Sequence, residues 1–451
     1  MIENPLPPLG YGVATSSYQI EGATDVDGRG PSIWDRFCAV PGAVADDTDG
    51  AVACESYERV EDDLALLEQL GVTAYRFSIA WPRVCPGGDG AVEPRGLDYY
   101  ERLVDGLLAR GIRPFPTLYH WDLPQPLEDA GGWPVRATAE RFADYASVVA
   151  GRLADRVPTW ATMNEPWCSA FLGYAAGVHA PGRHEPDAAY AAAHHLLLGH
   201  ALARAAVQAV RPDAQVGIVL NLAPVRAEPD ADPGAVDMVD AIQNRLWLDP
   251  LAGDGYPDAL LRRTPALGAG GVVRDNDLAT IAGSADWLGI NYYTPYRIGA
   301  ARGSSGAVGQ AASAYPYAPS FSFRPREPRT AMGWEIDPSG MVDVLRATAT
   351  RLPGMPLRVT ENGAAFADAA QAADGSVDDQ DRIDYLRTHL DAVEQARAEG
   401  APVVDYFAWS LLDNFEWAEG YRKTFGLVSI EPGSLRRVPK RSFAWYAERI
   451  G

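Results

Sequence analysis

The sequence predicts an α/β fold, a closed (β/α)8 barrel of the TIM type, formed as a single domain over residues 1–451 with extended βα loops. Three observations predict it. Strand-like apolar segments alternate with helix-like periodic segments, the mark of βαβ units. The alternation yields eight strand candidates, several of them apolar on successive residues, as parallel strands covered on both faces are. No GxGxxG follows the first strand, which removes the usual mark of an open dinucleotide-binding sheet.

In chain order the strand candidates are Tyr11–Ser16, Ala74–Ile79, Arg113–Tyr119, Thr159–Met163, Gln215–Asn221, Trp287–Tyr293, Leu357–Thr360 and Val403–Trp409. Helices are predicted over Tyr57–Leu70, Leu97–Arg110, Ala139–Leu153, Asp187–Val210, Met341–Arg351 and Arg382–Glu399. In the first of these, Val60, Leu64, Leu67 and Leu70 recur at helical spacing and Gly71 supplies a stop. Asp337 and Pro338 are a start signal ahead of Met341. Arg302–Arg329, after the sixth strand, and Ala364–Asp379, after the seventh, lack periodicity and read as long loops. In a barrel, loops that follow strands line the functional face.

Composition narrows the function. The chain is 47% hydrophobic and 22% charged, a balance that builds a large core and excludes disorder. A net charge of -21 repels phosphate backbones and anionic bilayers, so neither nucleic acid nor membrane is an expected partner. No apolar run approaches a membrane span, and the amino terminus shows no secretory signal, so a cytoplasmic protein is expected. The four cysteines, Cys38, Cys54, Cys85 and Cys168, form no CxxC pair or Cys/His cluster and read as reduced, mostly buried thiols. His194 and His195 lie in an Ala-rich helical stretch with no acidic residue at ligand spacing, so no metal and no cofactor are expected.

Barrels present their chemistry at the carboxyl ends of strands, from distant parts of the chain. Two acidic residues stand there. Glu165 follows the fourth strand in TMNEPW, where Pro166 is expected to hold it extended; Glu361 closes the seventh in VTENG. A pair of carboxyl groups flanking one bond is what glycoside hydrolysis needs, one to protonate the leaving oxygen and one to attack the ring carbon. Either glutamate alone reads more simply as a solvated or capping residue.

Seven segments in fixed order carry a resemblance: SYQIEGA (17–23), RFSIAWPR (76–83), HWDLPQ (120–125), TMNEP (162–166), NYYT (291–294), TENG (360–363) and WSLLDNFEW (409–417). Together they resemble family 1 of the glycoside hydrolases, the β-glucosidase type, from about Leu9 to Tyr446. The resemblance implies Glu165 as general acid/base and Glu361 as nucleophile of a retaining, exo-acting β-glycosidase that uses no cofactor and takes a small neutral β-glycoside. It implies that Gln19, His120, Asn164, Glu416 and Trp417 hold sugar hydroxyls, with Trp121 and Phe425 walling the pocket and Trp409 as its stacking floor. Arg76 and Tyr293 would hydrogen-bond Glu361, and Asn291 would join their network.

Taken singly, His120 reads as a core histidine, Arg76 equally as a barrel ion pair, the tryptophans as packing, and Gln19 carries no signal of its own. Glu416 stands where phospho-sugar relatives carry Ser with nearby cations, which implies a non-phosphorylated glucoside, galactoside or fucoside. Thr424 stands where many relatives carry Arg. A transglycosylase with the same pair, and a sugar-binding barrel that has lost its chemistry, are the alternatives.

Overall fold

The computed structural model describes residues 6–268, 271–302, 311–368 and 376–451. Eight strands form the closed barrel: Gly10–Ala14 (β1), Ala74–Ser78 (β2), Arg113–Tyr119 (β3), Thr159–Asn164 (β4), Gln215–Asn221 (β5), Trp287–Asn291 (β6), Leu357–Asn362 (β7) and Val403–Trp409 (β8). Each pairs in parallel with its neighbours in sequence, and β1 closes the ring on β8 from Gly10↔Asp405 to Ala14↔Trp409.

All eight strand candidates lie where the sequence put them. Two ends differ in a way that matters. β4 runs on to Asn164 and β7 to Asn362, so the strands carry the chain right up to Glu165 and through Glu361.

The six predicted helices are also present, as Val60–Leu70 (α1), Pro94–Ala109 (α2), Arg136–Leu153 (α3), Pro186–Val210 (α4), Pro338–Arg351 (α6) and Gln380–Ala398 (α7). Between α4 and α6 the sequence predicts no helix, yet residues 233–252 are helical, ending in Leu246–Ala252 (α5). The chain closes on Arg441–Ile450 (α8). The stop and start signals work as their chemistry requires. Gly71, at φ 75°, turns its N–H back to Leu67 and Glu68, and the Asp337 carboxylate accepts from the Ser339 N–H beneath Pro338.

The barrel interior alternates large and small. Phe115 packs against Trp287 and Phe407 at ring-centroid distances of 5.1 and 5.2 Å, with Ala14, Ala74 and Ala161 beside them. Two glycines make room for those rings: a Cβ on Gly12 would lie 2.5 Å from Phe407, and one on Gly217 2.4 Å from Trp287. Arg358 caps this floor over Phe115 and Trp287 and pairs with Asp405. With the floor sealed by aromatic packing, access is from the other end.

Arg302–Arg329 is not wholly a loop. Phe321–Phe323 pairs antiparallel with Tyr296–Ala300, which pairs in parallel with Val225–Ala227, so a small second sheet covers the end of β6. Phe321 and Phe323 are buried, and that alternation was hidden inside an Ala/Ser/Pro-rich run. Residues 303–310 of this segment, and 369–375 of the predicted loop Ala364–Asp379, lie outside the described residues. Among the described residues no helix is long and apolar enough to cross a membrane.

Candidate active site

The carboxyl ends of the strands open into a cavity of about 900 Å³, its mouth included. Glu165, Glu361, His120, Trp121, Asn291, Tyr293, Trp409, Glu416, Trp417 and Phe425 all line it.

The predicted partners of Glu361 are in place. Arg76 Nη1 donates to its Oε1 at 2.6 Å and Tyr293 OH to its Oε2 at 2.7 Å. Burial raises the proton affinity of Glu361, and Arg76 and Tyr293, with Asn291, oppose that rise by favouring the carboxylate. Glu165 has only neutral donors in contact: Asn291 Nδ2 on Oε1 at 2.7 Å and the Cys168 thiol on Oε2 at 3.0 Å. Burial first, then repulsion by Glu361, pushes Glu165 up to about 7. The guanidinium on Glu361 and the neutral donors on Glu165 thus favour a proton on Glu165 over one on Glu361.

One expectation is overturned. Glu165 is not extended: its φ is 44°, in the left-handed region, despite the proline that follows. Its N–H is tied to the Val219 carbonyl of β5 and its own carbonyl accepts from Cys168 N–H, both at 2.9 Å, and these bonds override the local preference. Trp121 and Trp417, at φ 78° and 48°, are held in the same region, so three lining residues carry backbone strain.

The amide network fixes its own orientation. Thr360 Oγ1 donates to Asn291 Oδ1, so the Asn291 amine faces Glu165 and the Asn164 Oδ1. Asn164 Oδ1 also accepts from Arg76 Nη2 at 2.7 Å, which turns its amine toward His120 Nε2 at 3.0 Å. Burial, with Arg76 nearby, keeps His120 neutral. Its ring proton is thereby placed on Nδ1, a buried atom with no partner among the described residues. A chain that begins at a guanidinium thus ends in an N–H free to meet a hydroxyl. Trp167 Nε1, Trp334 Nε1 and Glu416 Oε2, on lining residues, are further buried polar atoms without a partner among the described residues.

Two predicted residues stand behind the wall. Gln19 is fully buried, its amine donating to Asn414 Oδ1 and the Phe415 carbonyl, each at 2.9 Å, while its Oε1 accepts from Ser16. Both N–H groups are engaged, and Gln19 braces the segment before Glu416. Asn164 is likewise buried and reached through Arg76, Asn291 and His120. His194 does have an acidic partner: its Nε2 meets Asp277 at 3.0 Å, a residue brought from a distant segment and also gripped by Arg136.

The rim holds residues the sequence did not single out: Trp167, Leu172, Asn221, Gln243, Tyr296 and Trp334. Leu172 lies on the wide turns of Cys168–Ala175, and Trp167 just precedes them. Trp334 arrives from a loop and meets Tyr293 and Phe425 only in the fold.

Residues 8–451 match the model of glycosyl hydrolase family 1. The chain belongs to that family. It is 48% identical over 451 residues to a bifunctional β-D-glucosidase/β-D-fucosidase of Bifidobacterium breve, spanning 98% of this chain and 96% of the relative. A β-glucosidase of an Agrobacterium species is 43% identical over 97% of this chain and 93% of its own. Among solved structures, the Thermotoga maritima β-glucosidase in complex with glucoimidazole superposes at a TM-score of 0.91, with 41% identity over 99% of this chain and 98% of that one. The family 1 membership makes this chain a glycoside hydrolase acting on O-glycosidic bonds.

Proposed function

We propose that this family 1 hydrolase is a retaining, exo-acting β-glucosidase with Glu361 as nucleophile and Glu165 as acid/base. The observation that carries it is the asymmetry of two buried carboxyls in one cavity: Glu361 bound to a guanidinium and a phenol, Glu165 to neutral donors only.

The carboxylate of Glu361 attacks the anomeric carbon as the glycosidic C–O bond breaks, and the Glu165 proton passes to the departing oxygen. With the charge of Glu361 consumed in the new bond, the repulsion that raised Glu165 disappears. Glu165 is then an ionised base, able to take a proton from the water that releases the sugar. Tyr293 and Arg76 hold Glu361 in line throughout.

The unpartnered His120 Nδ1 and Glu416 Oε2 would meet ring hydroxyls, and Trp409, which lies near-parallel to His120, would stack on the sugar face. A small neutral β-glycoside suits both these groups and the apolar rim. The similarity to a glucosidase/fucosidase supports tolerance at the 6-position. All four cysteines are free thiols, which suits the cytoplasm. Proton NMR of the first sugar released from an aryl β-glucoside tests the mechanism. The β-anomer is expected, and an α-anomer first product would refute retention.

A further inference from the structure

We propose that Cys168 is a positioning residue for the acid/base: its thiol donates to Glu165 Oε2, fixing the plane of that carboxyl and favouring its ionised form. The proposal rests on the assignment of Glu165 as acid/base. Four observations support it.

Cys168 opens the helical segment Cys168–Ala175, and its own N–H bonds to the Glu165 carbonyl at 2.9 Å, so backbone and side chain hold the same residue. The thiol lies 3.0 Å from Oε2 and lines the cavity. Its sulfur is held from the other side by Asn221 Nδ2 at 3.7 Å, at the end of β5, which leaves the S–H directed at the carboxyl. Burial and the adjacent carboxylates keep the thiol protonated, so it donates without competing for the catalytic proton.

The role answers a specific problem. A carboxyl that alternates between acid and base needs partners in both states. Asn291 holds Oε1, and without Cys168 the other oxygen would face burial alone. A thiol is a weak donor that strengthens against a carboxylate, so it supports the base without trapping it. The other titratable or charged groups acting on Glu165 are Arg76 on β2, Glu361 on β7, Tyr293 and Tyr296 after β6, and Glu416 after β8. A substitution at Cys168 leaves all of these in place.

The test is the pH profile of kcat/KM on an alkyl β-glucoside, whose poor leaving group requires the acid. Cys168→Val keeps the volume and removes the donor. The alkaline limb, which reports loss of the Glu165 proton, should move up by about half a unit. Cys168→Ser keeps a donor, and its limb should stay with the parent enzyme. A valine limb unmoved, or a serine limb moved as far as the valine limb, overturns the proposal, since packing alone would account for it. A readout on the unaltered enzyme covers failure of a variant to fold. The infrared S–H stretch of Cys168 should shift as pH crosses the Glu165 titration, and a band that ignores pH also overturns the proposal. Glu165→Ala separates the two claims. If it keeps the alkaline limb, the acid/base assignment falls and this proposal with it; if it loses the limb while the valine variant leaves it fixed, only the role of Cys168 falls.

Discussion

At the scale of the residue, the cavity sorts three glutamates by what touches them. Glu361 carries the guanidinium, so its removal should be close to total: Glu361→Gly should lower kcat by at least about 10⁴-fold on an aryl glucoside. Added azide should occupy the space of the lost carboxylate and return an anomeric azide of inverted configuration. Normal turnover by that variant would mean that another group attacks. Glu416 is pushed up to about 8, first by burial and then by the charges of Glu361 and Glu165. Its folded value lies above the ordinary 4.5, so its contribution to stability is full at low pH and is lost as pH rises through about 8. Glu416→Gln should therefore melt with the parent protein at pH 4 and above it at pH 9, while KM for a glucoside rises roughly tenfold or more as a hydroxyl acceptor is lost. Thermal scans at the two pH values check the sign.

At the scale of the element, a buried ion cluster ties the carboxyl end of β8 to its surroundings. Lys440 joins Asp368 and Asp413, and Arg382 joins Asp368 and Asp379 while donating to the Thr424 carbonyl at 2.7 Å. Thr424 itself bonds Phe366, so the position where many relatives carry Arg is here a strap between loops. Lys440→Met strips the buried Asp413 of its paired cation and leaves Asp368 to Arg382 alone, and it should cost about 3–5 kcal/mol in urea unfolding. KM should rise with it, because Glu416 and Phe425 sit between the tethered points. The same scale shows what the sequence could reveal. The strands were legible because continuous apolar runs of parallel strands stand out; strand ends made Glu165 and Glu361 candidates, and the ordered family motifs singled them out. Phe321–Phe323 escaped because its partners lie in other segments, and the ties of Gln19 to Asn414 and Phe415 likewise span nearly the whole chain. The left-handed Glu165 escaped for the same reason: its conformation is imposed by β5, which no neighbour in sequence announces.

At the scale of the molecule, the proposed preference for a neutral sugar is a matter of charge. The chain carries a net -21, and its cavity gathers Glu165, Glu361 and Glu416, so the field inside opposes any anion. The one lysine near this rim, Lys423, donates to the Ala331 carbonyl at 2.7 Å and does not line the cavity. A phosphate on the sugar's 6-position would thus meet the carboxyl of Glu416, while Lys423, whose charge acts on Glu416, is already engaged by the Ala331 carbonyl and Glu419. The selectivity comes in two parts. The global field acts through solvent and is screened by salt, whereas repulsion by Glu416, which sets in as pH rises through about 8, acts at contact and is not. The kcat/KM for an aryl β-glucoside should exceed that for its 6-phosphate by at least about 10³-fold, and raising ionic strength should recover only a minor part of the difference. Efficient cleavage of the phosphorylated substrate at any salt concentration would show that the acidic cavity does not set specificity.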